Sequence, residues 1–373
     1  MRALVAWLCL SVLGGCALLR APAPGVGDPV PFDDLPGWAH DRHAEAWPAL
    51  LQTCARLGTE PAWQGACTAA AALTPDDAGA RQFFEQWFVP HRVHGPERAR
   101  TGLITGYYEP ILFGSFSADA RFRYPVYRRP GDLITVDLAA LFPELRGRPV
   151  RGRLQGNRLV PYYDRKQIGT RARESWKGHE LLWVDDDVAL FFLQIQGSGR
   201  VVLPDGSEVA VGYADQNGHP YVPLGRCFIE RGILPREQVN LFTLREWLRA
   251  HPNERAAMLD CNPSYVFFEL REATAEGPLG SLRVPLTPER SVATDPAFIA
   301  SGLGVWLDTT LPDGSAYRRL MFAQDTGGAI RGPIRADVFF GRGERAERLA
   351  GEMRQAGALY ALRPRSAGLA RGP

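Results

Sequence analysis

Two aspartates flank a glycine-rich segment near the end of this sequence of 373 residues. Asp325 precedes Thr326-Gly327-Gly328, and Asp337 precedes Val338-Phe339-Phe340. Apolar residues come before the first aspartate and after the second, so a hairpin or a crossover connection could bring both side chains into one pocket. Two carboxylates held close together do not both ionise freely, and one of them tends to stay protonated at neutral pH. The segment therefore predicts a carboxyl group that serves as a general acid.

The same segment has two other interpretations. An aspartate followed by threonine and glycine commonly forms a turn that closes a hairpin, which is compatible with catalysis because the turn could place the acid. Asp325-Thr326-Gly327 is also the triplet of aspartic proteases. Those enzymes need two triplets, whereas this chain has one, and Gln324 interrupts the apolar run expected before it. We therefore discount a protease.

Several further segments occur in an order that resembles one enzyme family, the membrane-bound lytic transglycosylase A family of murein-cleaving lipoproteins in Gram-negative bacteria. They are TGYYEP at 105–110, YPVY at 124–127, FFLQIQGSGR at 191–200, GY through NG at 212–218, NPSYVFF at 262–268 and QDTGGAIRGPIRADVFFG at 324–341. Only the first ~70 residues match weakly, where signal peptides and surface helices vary. Several blocks in order are more specific than one short motif.

The resemblance implies a fold that is mainly β with some helices. A double-psi β-barrel is assembled from both ends of the chain, a second β-barrel-like domain is inserted, and a groove lies between them. On this basis residues 31–106 and 239–364 form the catalytic domain, and residues 107–238 form the inserted substrate-binding domain.

The resemblance also assigns a mechanism without a cofactor or metal. Asp337 acts first as acid and then as base on the β-1,4 bond between N-acetylmuramic acid and N-acetylglucosamine. The C6 hydroxyl of the muramic acid attacks its own anomeric carbon, so the product is a 1,6-anhydro sugar. Asp325 orients or tunes the acid. Asp295 matches a third family aspartate, or it is only a turn residue before Pro296.

Glycan-binding candidates follow from sugar chemistry, because aromatic rings, amides and glycines suit ring faces, hydroxyls and close backbone approach. They are Tyr107, Tyr108, Gln194, Gln196, Gly197, Ser198 and Gly199. Tyr107 taken alone is as much a core candidate as a sugar platform. Residues 197–199 do not fit a GxSxG nucleophile elbow. A scaffold that binds murein without turnover is the alternative to an enzyme.

The N-terminus resembles a lipoprotein signal. Residues 1–15 are a basic and apolar signal peptide, too short to span a bilayer, and Cys16 follows Leu13-Gly14-Gly15 as in a lipobox. Three acyl chains would anchor the protein stably, with residues 16–30 as a tether. Ala17 favours the inner leaflet of the outer membrane, facing the periplasm. The alternative is an ordinary signal with an incidental cysteine.

Cysteine and charge narrow the remaining possibilities. In an oxidising periplasm Cys54 and Cys67 are the favoured disulfide, while Cys227 and Cys261 are interpreted as free thiols. His91 and His94 lack the context of metal ligands. A formal net charge of +2 does not indicate a surface that binds nucleic acid. The expected partners are peptidoglycan glycan strands, the membrane and other cell-wall enzymes.

Apolar spacing and turn residues predict the secondary structure. Helices are expected within residues 36–73, after a cap at Thr74, over 235–251 ending at Pro252, and over 345–356. Strands are expected at 134–138, 181–184, 201–203, 209–213, 265–270, 304–307, 319–323 and 338–341. The stretch from Gly102 to the 235–251 helix is otherwise interpreted as strands and turns.

Overall fold

The computed structural model describes residues 23–145, 150–274 and 276–365. The predicted signal peptide and the lipidation candidate Cys16 lie outside the described residues. Within these ranges no helix is long and apolar enough to cross a membrane.

The described helices and strands are numbered in chain order. The helices are Trp47–Leu57 (α1), Pro61–Ala71 (α2), Asp77–Trp87 (α3), Arg165–Ser175 (α4), Asp187–Gln196 (α5), Leu224–Glu230 (α6), Leu241–Ala250 (α7), Pro252–Leu259 (α8) and Glu344–Glu352 (α9). The strands are Gly25–Pro29 (β1), Phe88–His94 (β2), Gly102–Glu109 (β3), Ile111–Ser115 (β4), Tyr124–Tyr127 (β5), Ile134–Val136 (β6), Val150–Gln155 (β7), Arg158–Val160 (β8), Glu180–Val184 (β9), Ser198–Val202 (β10), Glu208–Gln216 (β11), Val266–Glu272 (β12), Ser291–Thr294 (β13), Gly304–Thr310 (β14), Ala316–Asp325 (β15), Arg335–Arg342 (β16) and Arg354–Pro364 (β17).

The largest sheet is built from both ends of the chain. Its eight strands are ordered β1-β2-β17-β14-β15-β13-β16-β3, and β17 also pairs with β3. Six of these strands, from β17 through β14, β15, β13 and β16 to β3, therefore form a closed ring. Apolar side chains such as Val292, Val305, Met321 and Val338 are buried in one core cluster of this ring. A second cluster packs α1–α3 onto it through rings such as Trp306.

The second sheet comes from the middle of the chain, in the order β12-β11-β10-β4-β9-β5. A bridge between Arg128 and Phe268 links its two edges, so the sheet curls towards closure. β12 pairs with β11 over seven residue pairs, although the sequence analysis places residues 239–364 in the catalytic domain. The pairing of β12 with β11 makes residues up to Glu272 part of this second sheet. The periodicity of apolar residues does not indicate pairing between segments so far apart in the sequence. A small third sheet, β6-β7-β8, lies within the same stretch.

Arg200 contacts both segments of the chain that connect the two large sheets. Its guanidinium is buried and pairs with Glu109, at the end of β3, at 3.1 Å. The same group donates to the backbone carbonyls of Thr274 and Glu276, where the chain returns from β12. One side chain of the insert thus holds both the outgoing and the returning segment.

Three sequence expectations are wrong. Gly25–Pro29 lies within the predicted tether but forms β1, because it pairs with β2. Asp76 rather than Thr74 caps α3, since its carboxylate accepts from Gly79 N at 2.8 Å. The helix expected over 345–356 ends at Glu352, and the following residues form β17.

Helices also replace strands and turns in the insert. The apolar run before Gly197 is α5, which begins at the N-cap Asp186. The 235–251 helix starts late, because Asn240 caps α7 and forms a capping box with Thr243. Pro252 does not terminate the helical region but occupies the first turn of α8, where its missing N–H costs nothing.

Two disulfides are present. Cys54–Cys67 joins α1 to α2, and Cys227–Cys261 joins α6 to the segment after α8. The expectation of free thiols at Cys227 and Cys261 is therefore wrong. Their separation of 34 residues gave no short-loop signal.

Candidate active site

Asp325 and Asp337 lie on strands either side of β13. Asp337 in β16 and Asp325 in β15 are both in register with Ala293. Residues opposite one another on paired strands present their side chains to the same face. The small side chain of Ala293 thus separates two carboxyl groups on one face of the barrel sheet.

A bulge in β15 brings Asp325 into this register. Val292 is opposite Ala323 and Ala293 is opposite Asp325, so Gln324 is the extra residue. The buried Gln324 amide donates to Ala49 O at 2.7 Å and accepts from Ser291 Oγ at 2.6 Å. Bulges commonly re-aim side chains beside active sites. The residue that interrupts the apolar run in the sequence is therefore the one that turns Asp325 towards Asp337.

β3 supplies hydrogen-bond donors to both carboxyl groups. It runs parallel to β16, with Thr105 opposite Asp337 and Tyr107 opposite Phe339. Thr105 Oγ1 donates to Asp337 Oδ1. Tyr107 Oη donates to Asp325 Oδ2 at 2.8 Å, and its ring packs against Phe339. Tyr107 is thus both a core residue and a hydrogen-bond donor to one of the two carboxyl groups.

Electrostatics distinguish the two carboxyl groups. Burial raises the pKa of Asp337, and the charge of Asp325 raises it further, while Arg335 and Thr105 oppose the rise. Burial also raises the pKa of Asp325, against hydrogen bonds from Tyr107, Thr326 N and Ser281 N. Three residues donate hydrogen bonds to Asp325 and one donates to Asp337, and a hydrogen bond to a carboxylate favours its ionised form.

The insert places Tyr221 near this pair. Burial and then the negative charge of Asp337 raise the pKa of Tyr221 to about 12, while the charge of Arg165 opposes the rise. Tyr221 is thus within electrostatic range of Asp337 and of Arg165, and its side chain is exposed.

Two buried asparagines hold the loop that carries Tyr221. Asn217 Nδ2 donates to Tyr163 O and Pro263 O, both at 2.9 Å, and Asn217 Oδ1 accepts from Tyr265 N. Asn262 Oδ1 accepts from Val222 N at 3.1 Å. Both asparagines come from blocks that carried the family resemblance, and here they satisfy backbone groups that no strand pairs.

Tyr108 and Gln196 meet at a different place. Tyr108 points to the opposite face from Tyr107, as strand alternation requires. Its hydroxyl bonds Glu347 and Arg245, each at 2.8 Å. Its backbone N–H donates to Gln196 Oε1 at 3.1 Å. These residues join β3, α7 and α9 to the end of α5, away from the carboxyl pair.

The remaining predicted glycan-binding residues surround the end of α5. Gln194 is buried and bonds the Tyr265 hydroxyl. Gly197 ends the helix with φ +81°, a conformation that favours glycine. Ser198 lies in β10 and pairs with Gly212 of β11. A side chain at Gly199 would meet the carbonyl oxygen of Pro110 at 2.9 Å, so this glycine allows β10 to pack closely against the chain at Pro110.

Asp295 fixes a turn. Its Oδ2 accepts from Gly332 N at 2.9 Å and its Oδ1 from Ala297 N at 3.2 Å, with Arg331 nearby at 3.7 Å. Asp295 thereby ties the chain after β13 to the end of the glycine-rich segment. It positions the start of β16, and this corresponds to the turn interpretation of the sequence.

Sequence reasoning missed Thr105, Tyr221 and Arg165. Thr105 lies two residues before Tyr107 on β3, so strand alternation was a signal that it shares the face of Tyr107. Tyr221 and Arg165 had no such signal, because only the folding of distant segments brings them within electrostatic range of one another. Among the described residues, no group of three or more His, Cys, Asp or Glu side chains is arranged to hold a metal ion.

Comparison with known families gives two matches along the chain. Residues 103–269 match the MltA specific insert domain, and residues 290–363 match the 3D domain. The first match spans β3 through β12, including Tyr221 and Arg165. The second spans the strands that carry Asp325 and Asp337.

Relatives cover most of the chain. Membrane-bound lytic murein transglycosylase A of Escherichia coli K12 is 29% identical over 297 residues, which is 77% of this chain and 72% of the relative. The crystal structure of MltA from Neisseria gonorrhoeae is 33% identical with a TM-score of 0.77, and the match covers 92% of this chain and 98% of that one. The structure of E. coli MltA with bound chitohexaose is 25% identical with a TM-score of 0.67, covering 86% and 90%.

The shared fold and these relatives place the chain in the class of lytic transglycosylase enzymes. Within that class, it belongs to the membrane-bound lytic murein transglycosylase A family.

Proposed function

We propose that this enzyme cleaves the β-1,4 bond between N-acetylmuramic acid and N-acetylglucosamine without water, with Asp337 as its single acid and base. The observation that carries the proposal is the placement of Asp337. It is half-buried, its pKa is raised by burial and by the charge of Asp325, and one hydroxyl donates to it. Burial and a neighbouring carboxylate favour the protonated form of a carboxyl group, which can release its proton to a leaving oxygen.

A single acid–base group is enough for both proton transfers of this reaction. Asp337 donates its proton to the glycosidic oxygen, that oxygen leaves with the bonding electrons, and the anomeric carbon becomes electron-poor. The Asp337 carboxylate then takes the proton of the muramic acid C6 hydroxyl while O6 bonds to the anomeric carbon. Asp337 is protonated again, and the product carries a 1,6-anhydro ring. Thr105 supports the carboxylate state, because its hydroxyl donates to Asp337 Oδ1.

Intramolecular capture is favoured over hydrolysis by the state of Asp325. Tyr107, Ser281 N and Thr326 N already donate to its carboxylate, so it is poorly suited to deprotonate a water. Its fixed negative charge instead supports the positive charge that develops on the sugar. A hydroxyl held near the reacting carbon gains an effective molarity of up to ~10⁵ M or more.

We infer that the glycan lies in a groove between the barrel face of Asp337 and the insert loop of Tyr221, and that the closed ring is a double-psi β-barrel. The electrostatic contact of Tyr221 with Asp337 supports this location. The relative from E. coli carries chitohexaose, which makes a glycan the natural occupant. We propose that seven residues shape that groove, directly or through the elements they hold: Tyr107, Tyr108, Gln194, Gln196, Gly197, Ser198 and Gly199.

We also propose that Cys16 is lipidated and anchors the protein to the outer membrane on its periplasmic side, where it would meet murein and other cell-wall enzymes. The lipobox-like sequence and the membrane-bound relatives support this placement. Replacing Cys16 with Ser should release the protein from the membrane fraction. A variant that still carries acyl groups would exclude Cys16 as the anchor.

The decisive experiment is cleavage of murein sacculi in ¹⁸O-labelled water by the wild type and Asp337→Asn. The wild type should give 1,6-anhydro ends without label at the anomeric carbon. Asp337→Asn keeps the shape but cannot cycle a proton, so the rate should fall by at least ~10²- to 10⁴-fold. Asp313→Asn, at an exposed aspartate in the turn between β14 and β15, is the matched control and should keep most activity. Labelled reducing ends as the main product, or near-normal turnover by Asp337→Asn, would overturn the mechanism.

A further inference from the structure

A cavity lies where the barrel meets the segments that lead to the insert and back. Its volume is about 220 Å³, which is smaller than the ~300–1,000 Å³ of pockets for drug-sized ligands, so it suits a small molecule or the end of a side chain. Its walls come from α1, from the ends of β3 and β16, and from the chain between β12 and β13. The apolar part of the wall is formed by Pro48, Pro285, Leu286, Pro288 and Phe339.

The cavity is separate from the carboxyl pair of the active site. Arg342, at its edge, lies five residues after Asp337 in β16, which corresponds to roughly 15 Å along the strand. Phe339 lies between them and packs with Tyr107 and Leu286 in one buried apolar cluster. A ligand in the cavity would therefore not occupy the position of the bond that Asp337 is proposed to break.

Two side chains of opposite charge line the cavity without pairing with each other. Glu109 of β3 lies opposite Arg342 of β16 in the strand ladder, beyond a bulge that follows Phe339. Opposite residues on paired strands present their side chains to the same face. No ion pair joins the two, and within the described part of the chain the Arg342 guanidinium makes neither an ion pair nor a hydrogen bond. The cavity therefore lies beside an acid and a base whose charges do not compensate each other directly.

The Glu109 carboxylate is buried, yet only one of its oxygens is bonded. The residue is 3% exposed, and Oε2 accepts from Arg200 Nε at 3.1 Å. Oε1 accepts no hydrogen bond from the described residues, and it is not sealed from solvent. Burial raises the pKa of Glu109, the charges of Arg200 and then Arg342 oppose the rise, and the charge of Glu208 adds to it. Arg200 is shared with Glu208 at 3.3 Å, and Glu276 brings a third carboxylate to the cavity. Oε1 is thus an acceptor suited to a cationic donor.

We propose that this cavity binds the zwitterionic end of an amino acid, with the ammonium group on Glu109 Oε1 and the carboxylate on Arg342. A simple cation would leave Arg342 unpaired, and a simple anion would leave Glu109 Oε1 unpaired, whereas a zwitterion satisfies both. The apolar wall would contact the carbon chain. Two sources carry this chemistry: a free amino acid, and the free amino-acid end of a diamino acid in a murein peptide stem. The second source rests on the proposed murein substrate.

The test is calorimetric titration of the full-length protein with D- and L-alanine and with a peptide stem whose diamino acid has a free end. N-acetylalanine lacks the ammonium group, alaninamide lacks the carboxylate, and an N-acetylated stem is blocked in the same way. Each blocked ligand should bind about 10- to 100-fold more weakly than its zwitterionic counterpart, because a hydrogen bond to a charged group is lost. Arg342→Gln should weaken the zwitterion by a similar factor. Arg348→Gln, at an exposed arginine of α9 outside the cavity, is the matched control and should change the affinity less than about twofold.

The outcomes separate the two sources from the failure of the proposal. Binding of alanine shows that a free amino acid is sufficient, and binding of the stem alone identifies the diamino acid. Binding of neither, or equal affinity for zwitterionic and blocked ligands, overturns the proposal. Equal affinity of the wild type and Arg342→Gln overturns it as well. The blocked ligands require no variant, so the test does not depend on the folding of Arg342→Gln. These titrations involve no turnover, and their result stands apart from the test of Asp337 as acid.

Discussion

Burial raises the pKa of Asp337, and the charge of Arg335 opposes the rise. Two further neighbours act in opposite directions: the charge of Asp325 raises the pKa, and the hydrogen bond from Thr105 lowers it because that bond stabilises the carboxylate. An enzyme that needs protonated Asp337 loses activity as the pH rises through this pKa. Substituting each neighbour in turn should therefore move the alkaline side of the pH profile in opposite directions.

Asp325→Asn removes the negative charge beside Asp337 and keeps the shape of the side chain. The pKa of Asp337 should fall, so the alkaline decline of kcat/KM should move to lower pH and the rate at neutral pH should decrease. The measurement is murein cleavage across the pH range. Asp313→Asn, which changes an exposed aspartate in the turn between β14 and β15, is the control. A decline that moves to higher pH would show that Asp325 does not raise the pKa of Asp337.

Thr105→Val removes the hydroxyl that donates to Asp337 Oδ1 and keeps the branched shape. The carboxylate loses a donor, so the pKa of Asp337 should rise and the alkaline decline should move to higher pH. The rate should also fall, by up to ~10-fold, because one hydrogen bond contributes about 1 kcal/mol. The same pH series measures both effects. A shift in the direction found for Asp325→Asn would contradict the assigned role of Thr105.

At this scale the sequence predicted the barrel half of the site better than the insert half. The spacing of Asp325 and Asp337 around a glycine-rich segment indicated a shared pocket, and paired strands carry both residues. Tyr221 could not be found in this way. Its loop is held by Asn217 and Asn262, which bond backbone groups of distant segments, and local sequence patterns do not encode such long-range hydrogen bonds.

At the scale of elements, the two disulfides constrain loops of different length. Cys227–Cys261 encloses α7 and α8 with a separation of 34 residues, whereas Cys54–Cys67 has a separation of 13. In the chain-entropy account, replacing each pair with alanine should lower the free energy of unfolding by about 4 and about 3 kcal/mol, respectively. Urea denaturation of the two double variants measures the difference.

The longer bridge should matter for activity as well. Asn262 follows Cys261 directly, and its carbonyl holds Arg165 while its side chain holds Val222 N. Loss of the Cys227–Cys261 bridge should thus reduce kcat/KM at temperatures where the protein remains folded. The Cys54–Cys67 variant is the matched control, since α1 and α2 pack on the far cluster around Trp306. Equal activity of the two variants would contradict this coupling.

β17 shows why element type was harder to predict than element existence. The residues after Glu352 are rich in alanine and leucine, which suits a helix. They form a strand because β14, β2 and β3 all offer pairing partners. Tertiary pairing overrides a weak local preference, and the missed strand is the one that closes the ring.

At the scale of the whole molecule, Arg200 carries the junction between the two large sheets. Replacing one partner of a buried ion pair leaves the other charge uncompensated, which costs roughly 3–5 kcal/mol. Arg200→Met should lower the free energy of unfolding by about that amount, because Glu109 stays buried and two carbonyls lose their donor. Urea or thermal unfolding, followed by circular dichroism, measures the loss.

Arg226→Met provides the comparison. Arg226 pairs with Glu230 on the surface of α6, where both side chains are more than half exposed. Pairs of this kind contribute roughly 0–1 kcal/mol. If Arg200→Met is no more costly than Arg226→Met, the junction does not depend on the buried guanidinium.

The strand ladders of the closed ring have a further consequence. Each of the described strands that closes it, from β3 to β17, comes from outside residues 111–272. The insert therefore contributes no strand to the ring, which the remaining described residues complete by themselves. The closed ring carries Asp337, the proposed acid, together with Asp325, Thr105 and Tyr107, while Tyr221 and Arg165 lie within residues 111–272. Sequence changes in the insert can therefore alter which substrates the enzyme binds and leave the hydrogen bonds around its proposed acid intact.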